Sequence, residues 1–333
     1  MPFLNFSLRR AVLAGAAAMF VASTALLPTD VRAQVAWPTR PIKLIVPFAT
    51  GGGSDATARG IANKLSTRLG QPIIVDNRGG AGGTMGTTAA ARSPADGYTL
   101  LFTTTAIATN AASGQKLSFD PQKDFEPIGK IGATALLIVV SNDSSVNTLR
   151  QFIDLGRAKP NGVNYGSGGI GSMSHLGMEL FAAEAKVELL HVPYKGMGPA
   201  FNDIMGGVVQ AGVSTLASAK SFIDSGRVRA LAVTSAHRSP FLPLLPTVAE
   251  EGLPGAQIEF WWGLLAPAGT PPAVIKLLNQ ELNEVLAQDD VREILARDAA
   301  VPTPGTPEDF RALINFDLAR WSKLVKDANI KTE

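Results

Sequence analysis

Short apolar runs alternate with helical patterns along the first third of the chain. The runs at 42–48, 73–76 and 98–103 have the length of buried strands, and 56–69 has the apolar spacing of a helix. This alternation, with short turns, predicts a parallel sheet wrapped by helices. Ligands of such sheets bind beyond the carboxyl ends of the strands, and a glycine cluster directly follows the first run.

The alternation restarts after a long β-branched run at 131–140, which is long enough to cross between two lobes. The fold class that we predict is α/β, a two-lobed (type II) periplasmic-binding-protein fold in which each lobe is a sheet wrapped by helices. Lobe 1 comprises 34–130 and 231–333, lobe 2 comprises 131–230, and two crossings leave a ligand cleft between them. The supporting segments are helices at 148–158, 174–185 and 199–205, strands at 163–165, 189–192 and 209–214, a returning run at 228–234, and C-terminal helices that begin near 272 and 307.

The first 33 residues have the pattern of an export signal. Arg9 and Arg10 precede an apolar run over about 11–27, which Pro28 interrupts, and small residues follow around Ala33. We predict a signal peptide at 1–33, cleaved near Ala33, and a periplasmic location. A membrane span is the alternative, but the run is short for one and no second run follows. The arginine pair is misplaced for a twin-arginine signal.

Composition narrows the function classes. The 333 residues contain no cysteine, which excludes a disulfide and a thiolate nucleophile. The 30 basic and 28 acidic residues leave a formal net charge of +2, and the basic residues are scattered, so nucleic acid is not predicted as a partner. A domain pair of this size can be held by its core alone. We predict a monomer.

Glycine-rich turns at 51–54, 79–84 and 166–172 are the main candidate chemistry. The first and third each follow a strand and precede a helix, so crowded backbone N–H groups and a helix start point to one place. Facing each other across a cleft, they would bind the two ends of a dianion. In the first turn neither Walker spacing nor G-x-G-x-x-G is satisfied, so that turn is not predicted to be a nucleotide loop. The alternative is that the glycines merely permit tight turns.

Catalytic and metal chemistry has little support. His175 and Glu179 have i,i+4 spacing, but with no third ligand in view we predict no metal. Ser167 and Ser172 have glycine neighbours without matching G-x-S-x-G. His175 would either donate a hydrogen bond to an acid ligand or cap the turn beside it, and both roles stay open.

Two further positions have alternative interpretations. Asp55 would either contact the ligand or cap the first turn of the helix that follows it. The Trp261-Trp262 pair would form either a wall of the cleft or part of the core near the hinge between the lobes.

The chain resembles the Bug family of extracytoplasmic solute receptors, the binding components of tripartite tricarboxylate transporters. The resemblance covers essentially the whole mature chain, in order. The segments that carry it are Pro41–Phe48, Asp76–Arg78 with Gly80–Gly83, Pro94–Leu101, His191–Gly196, Arg229–Thr234 and Ala266–Pro271. It implies a two-lobed periplasmic receptor that closes on an organic acid, with no catalysis and no cofactor.

Carried over by position, the resemblance implies a set of ligand contacts from loop amides and hydroxyls. The contacts would be Phe48, Ala49, Gly52, Ser54, Asp55 and Thr103 in lobe 1, and Ser167, Gly168, Gly171, Ser172 and His175 in lobe 2. Thr50 and Gly79 stand where the family usually has proline, and Ala111 follows Asn110 where proline is usual. These departures bear on ligand identity.

Three functions are compared. The leading hypothesis is a receptor that captures a di- or tricarboxylate, an acidic amino acid or an aromatic carboxylate and delivers it to a membrane permease or sensor kinase. The rival is a periplasmic hydrolase or isomerase that uses Ser172 and His175 in the same cleft. A structural or partner-binding envelope protein is the third, and it predicts no response to small ligands.

Overall fold

The computed structural model describes residues 37–51, 53–114, 116–328 and 330. The predicted signal peptide at 1–33 and the predicted contact Gly52 lie outside the described residues. Residues 40–333 form one unit, which contains every element named below. In the described part of the chain, no helix has both the length and the apolar character that crossing a membrane requires.

The elements alternate as the pattern of apolar residues predicts. The strands are β1 Ile42–Val46, β2 Ile73–Asn77, β3 Thr99–Thr104, β4 Phe125–Ser141, β5 Asn164–Ser167, β6 Leu190–Pro193, β7 Ala211–Thr215, β8 Val228–Val233, β9 Glu259–Pro267 and β10 Ala300–Pro302. The α-helices are α1 Gly53–Leu69, α2 Thr84–Ala91, α3 Ala106–Ala112, α4 Leu149–Ala158, α5 Met173–Ala185, α6 Met197–Met205, α7 Leu216–Asp224, α8 Pro272–Leu286, α9 Asp289–Ala296 and α10 Pro307–Asp327.

One long strand, β4, belongs to two groups of strands. Its first part pairs with β9 and β10, and the order β2-β1-β3-β9-β4 forms what we call the first half-sheet. Its second part lies between β7 and β8, and the order β4-β7-β5-β6 together with β8 forms the second half-sheet. The α1 helix follows a strand of the first half-sheet and α7 a strand of the second.

The predicted α/β class is confirmed, with one refinement of the strand directions. Strands β1–β3 pair in parallel, as do β5–β7, but β9 is antiparallel to both β3 and β4. The sequence analysis missed β9, and it placed the start of β4 six residues too late, at Ile131 rather than Phe125. The lobe boundaries stay a prediction.

The two tryptophans of β9 lie on opposite faces of the strand, since side chains alternate along it. Trp261 is 1% exposed and packs edge-on against Phe310, with ring centroids 5.2 Å apart. Its indole N–H donates to Asp317 Oδ2 at 2.7 Å. Trp262 faces the other side, toward the first turn of α1. The interpretation as core therefore holds for Trp261, and the site described next contains Trp262.

Candidate ligand-binding site

A cavity of about 390 Å³ lies between the first turn of α1 and the first turn of α7. The cavity lies between the two half-sheets, because a helix that follows a strand of each one contributes to it. Residues of β4 and β9 also line it. The residues that line it are Gly53, Ser54, Thr134, Thr215, Ala217, Ser218, Phe260, Trp262 and Asp298. Its place between two helix starts makes it the candidate site for a small ligand.

The start of α7 presents hydrogen-bonding groups to this cavity. Thr215 is the N-cap residue: its hydroxyl oxygen accepts the backbone N–H of Ser218 at 3.3 Å and its O–H lies 3.0 Å from Ser218 Oγ. The first amides of a helix have no partner inside the helix, and its N-terminus carries a partial positive charge. This end of the cavity is therefore suited to a carboxylate.

An aromatic wall closes one side of the cavity. The rings of Phe260 and Trp262 meet edge to face, with centroids 5.1 Å apart. The Trp262 indole N–H donates to Ser54 Oγ at 3.2 Å, which links the wall to the first turn of α1. The wall offers apolar contact to the carbon skeleton of a ligand.

Asp298 brings a carboxylate to the same cavity. It lies in the turn between α9 and β10, where the next residue, Ala299, has a left-handed φ of 51° and its carbonyl accepts the Thr134 hydroxyl at 3.0 Å. Thr57 Oγ1 donates to Asp298 Oδ2 at 3.1 Å. Burial raises the pKa of Asp298, and the bond from Thr57 opposes that shift.

Asp55 ties the loop after β1 to the start of α1. Its Oδ2 accepts the N–H of Gly51 at 2.9 Å and the Nε–H of Arg59 at 3.0 Å, and its Oδ1 accepts Asn77 Nδ2 at 2.8 Å. Burial alone would raise its pKa, but the hydrogen bonds from Arg59, Gly51 and Asn77 outweigh burial and hold the pKa below its ordinary value. These contacts are those of a residue that organises the loop.

The other predicted contacts of lobe 1 lie around this loop. Phe48 is partly buried, and its carbonyl oxygen accepts Asn77 Nδ2 at 3.1 Å. Ala49 is exposed. Thr103 is 2% exposed and lies on β3 opposite Gly263. Among the described residues that line the cavity, Ser54 is the one predicted ligand contact, and Trp262 is the one that the sequence analysis assigned to a cleft wall or to the core.

The predicted second cradle, the loop after β5, uses several of its amides internally. Gly168 N–H donates to Ser174 Oγ at 2.8 Å, and Gly171 N–H donates to His175 Nδ1 at 3.0 Å. His175 therefore caps the turn beside it, which was one of its two predicted roles. Its donation to a ligand stays a prediction.

Ser172 caps α5 instead of pairing with a base. Its hydroxyl accepts the backbone N–H of His175 at 3.3 Å and donates to the carbonyl of Gly169 at 2.6 Å. The His175 ring nitrogen that faces this turn already accepts the Gly171 amide. A serine nucleophile needs a base that takes its proton, so this geometry does not support the rival hydrolase.

Behind the loop lies a stack of two imidazoles. The rings of His175 and His191 are parallel within 8°, with centroids 3.8 Å apart, and Ser167 Oγ lies 2.6 Å from His191 Nε2. Tyr165 stacks on His191 and donates its hydroxyl to Glu179 at 2.5 Å. Burial lowers the pKa of each histidine to about 4, and for His175 the neighbouring His191 lowers it further. Both rings are neutral at neutral pH.

The sequence analysis did not name five of the residues that give the cavity its chemistry: Thr215, Ser218, Thr134, Phe260 and Asp298. A signal existed for the first two, because Thr215 and Ser218 have the spacing of an N-cap and its third helical residue. No local signal marks the others. Within the described ranges, no cluster of three or more His, Asp or Glu side chains is arranged to hold a metal ion.

Comparison with known proteins identifies the family. The family model described as tripartite tricarboxylate transporter family receptor (TctC) matches residues 57–330. Protein BugT of Bordetella pertussis is 38% identical over 297 residues, which span 89% of this chain and 91% of BugT.

Two solved structures of relatives contain bound acids. Rpa4515 from R. palustris with adipate is 38% identical, with a TM-score of 0.76, over 88% of this chain and 99% of that one. MatC (Rpa3494) from Rhodopseudomonas palustris with bound malate is 32% identical, with a TM-score of 0.73, over 87% and 100%. These matches confirm the periplasmic-binding-protein fold and the predicted resemblance. The chain belongs to the tripartite tricarboxylate transporter receptor family, whose members are binding proteins and not enzymes.

Proposed function

We propose that this chain is a periplasmic receptor that captures a small organic acid and closes its two lobes around the carboxylate. The lobes are those predicted from the sequence, 34–130 with 231–333 and 131–230. The export signal at 1–33 delivers the chain to the periplasm. The closed form presents the acid to a membrane permease or to a sensor kinase.

The observation that carries this proposal is the cavity between the first turns of α1 and α7. Two helix starts, the hydroxyls of Ser54, Thr134, Thr215 and Ser218, and an aromatic wall converge there. Amides and hydroxyls hold one carboxylate without an arginine, and the wall contacts the carbon chain. The adipate and malate in the two relatives support an acid as ligand class.

A panel of organic acids tests the proposal by thermal unfolding of the mature chain, which begins at Gln34. We expect at least one acid to raise the melting temperature, because a ligand at a hundredfold excess over its Kd stabilises the native state by about 2.7 kcal/mol. Tryptophan fluorescence should change in parallel, since Trp262 lies in the cavity. A folded protein that responds to no acid in either measurement would contradict the proposal.

Replacing Thr215 by alanine tests whether the start of α7 binds the carboxylate. Removal of this N-cap hydroxyl should lower the free energy of unfolding by about 1 kcal/mol. It should also lower the affinity for the acid identified by the panel by about tenfold, because hydrogen bonds to charged groups are strong. Calorimetric titration gives the affinity, and chemical denaturation gives the stability.

The matched control is Thr148→Ala. Thr148 is the N-cap of α4 and accepts the N–H of Gln151 at 3.2 Å, but it does not line the cavity. We expect the same loss of stability with unchanged affinity. Equal affinities of the two variants for the acid would show that the start of α7 does not bind the carboxylate.

A further inference from the structure

Among the described residues, the lining of the cavity between α1 and α7 includes an acidic side chain and no basic one. Asp298 is its one ionisable lining residue, and the described residues that line it include no lysine, arginine or histidine. In the described part of the chain Asp298 accepts a hydrogen bond from Thr57 and has no ion pair. A receptor that holds a second carboxylate here would place two like charges together without a cation between them, which is unfavourable in a partly buried site.

The positive end of α1 is already balanced by acidic side chains. A side-chain carbon at Gly53, the first residue of α1, would lie 3.0 Å from Asp298 Oδ1. Asp55 lies in the same first turn. The helix charge at this end of the cavity is therefore offset by the protein itself, whereas the first turn of α7 contains no acidic residue. The two ends of the cavity thus differ: one suits an anion and the other does not.

We infer that the ligand is a zwitterionic amino acid, whose carboxylate binds at the first turn of α7 and whose ammonium group binds at Asp298 beside Phe260 and Trp262. This inference rests on the proposed function and names the ligand class for that same cavity.

The chemistry around Asp298 suits an ammonium group. A carboxylate forms charge-assisted hydrogen bonds with ammonium N–H donors. The neighbouring rings of Phe260 and Trp262 are the aromatic surfaces that attract cations. Ionised Asp298 gains a counter-ion from such a ligand, which compensates for the burial that raises the pKa of this carboxyl group. A ligand with one positive and one negative group balances both ends of the cavity.

The test compares acids that differ in a single terminal group. Calorimetric titration of the mature protein with γ-aminobutyrate against glutarate, and with δ-aminovalerate against adipate, sets an ammonium against a carboxylate on the same carbon chain. Alanine and leucine extend the comparison to α-amino acids. We expect the best amino acid to bind at least about tenfold more tightly than any dicarboxylate of the set.

The Asp298→Asn variant tests the role of the charge. We expect this variant to bind the amino acid about tenfold more weakly and the dicarboxylates more tightly. Asparagine keeps an oxygen that accepts the Thr57 hydroxyl, but it removes the negative charge. Asp289→Asn is the control, since Asp289 is 93% exposed on α9 and does not line the cavity. It should leave every affinity unchanged. Circular dichroism and the melting temperature verify that both variants fold.

The outcomes separate this inference from the proposed function. Tighter binding of a dicarboxylate by the native protein would overturn the inference and leave the receptor for organic acids in place. That result stands on the native protein alone, whether or not the variant folds. Unchanged amino acid affinity in folded Asp298→Asn would also overturn the inference. A native protein that binds no member of either set would contradict the inference, and with the wider panel the proposed function as well.

Discussion

Replacing Asp55 by asparagine is expected to lower the free energy of unfolding by about 2–4 kcal/mol. Asp55 is 3% exposed, and its two oxygens accept hydrogen bonds from Gly51, Arg59 and Asn77. The amide nitrogen of asparagine would face donors where the carboxylate accepts, so a buried donor loses its partner and Arg59 loses its counter-charge. The loop between β1 and α1, which leads into the first turn of α1 at the ligand cavity, would lose the contacts that hold it.

Chemical denaturation at neutral pH measures this change, and hydrogen exchange of the loop amides locates it. The control is Asp154→Asn, since Asp154 is 57% exposed and lies 3.5 Å from Arg150 on α4. An exposed pair of this kind contributes less than about 1 kcal/mol, so the control should unfold close to the native protein. Equal stabilities of the two variants would show that the three bonds to Asp55 contribute nothing.

The amphipathic segments of this fold could be predicted from the sequence because their patterns are local. Strand β1 and helices α1, α4 and α5 begin and end within a few residues of the predicted bounds. Their apolar spacing lies inside the segments, and their caps and glycines lie directly beside them. The family resemblance implied the same periplasmic-binding-protein fold as the pattern of strands and helices, and the comparisons confirm that fold.

Strand β9 could not be predicted in this way, since its stability comes from distant partners. It pairs with β3 on one side and with β4 on the other. In the pairing with β4, Glu259 lies opposite Ala135, which is over 120 residues earlier in the sequence. Its aromatic and apolar residues suit a strand, but Gly263 interrupts the run, and no local signal identifies the strands that pair with it. The alternating directions of Trp261 and Trp262 follow only once the strand is known.

The candidate site shows the same limit more strongly. The cavity is assembled from Ser54, Thr134, Thr215, Phe260 and Asp298, five parts of the chain that only the tertiary structure brings together. The glycine turns indicated two anion cradles, but the direction of each amide depends on backbone dihedrals, and its partner depends on which acceptors the fold brings near it. The amides of Gly168 and Gly171 donate to Ser174 and His175, their own neighbours.

Acidification is expected to destabilise the native state through the stacked pair His175 and His191. Each has a pKa of about 4 in the folded chain against an ordinary value of 6.5. Above the ordinary value neither state holds the proton, and below it the unfolded chain takes up protons that the folded chain refuses. Stability is therefore full at neutral pH and falls as the pH drops toward 4. Glu179, whose pKa burial raises, takes up a proton in the folded state and opposes part of this loss.

Through this pair, we expect the free energy of unfolding to fall by about 2–3 kcal/mol between about pH 7.5 and about pH 4.5, a figure reduced for residual solvent screening. Denaturation curves at the two pH values measure the loss.

His191→Asn removes one of the two titrating rings and also removes the neighbour that lowers the pKa of His175. This variant should therefore lose less than half as much stability as the native protein. His237→Gln, at an exposed histidine outside the stack, should keep the native dependence. The same pH dependence in His191→Asn would show that the acid sensitivity arises elsewhere. A reduced dependence would show that the acid sensitivity arises in this stack, whose rings form hydrogen bonds with Ser167 and Gly171 of the loop after β5.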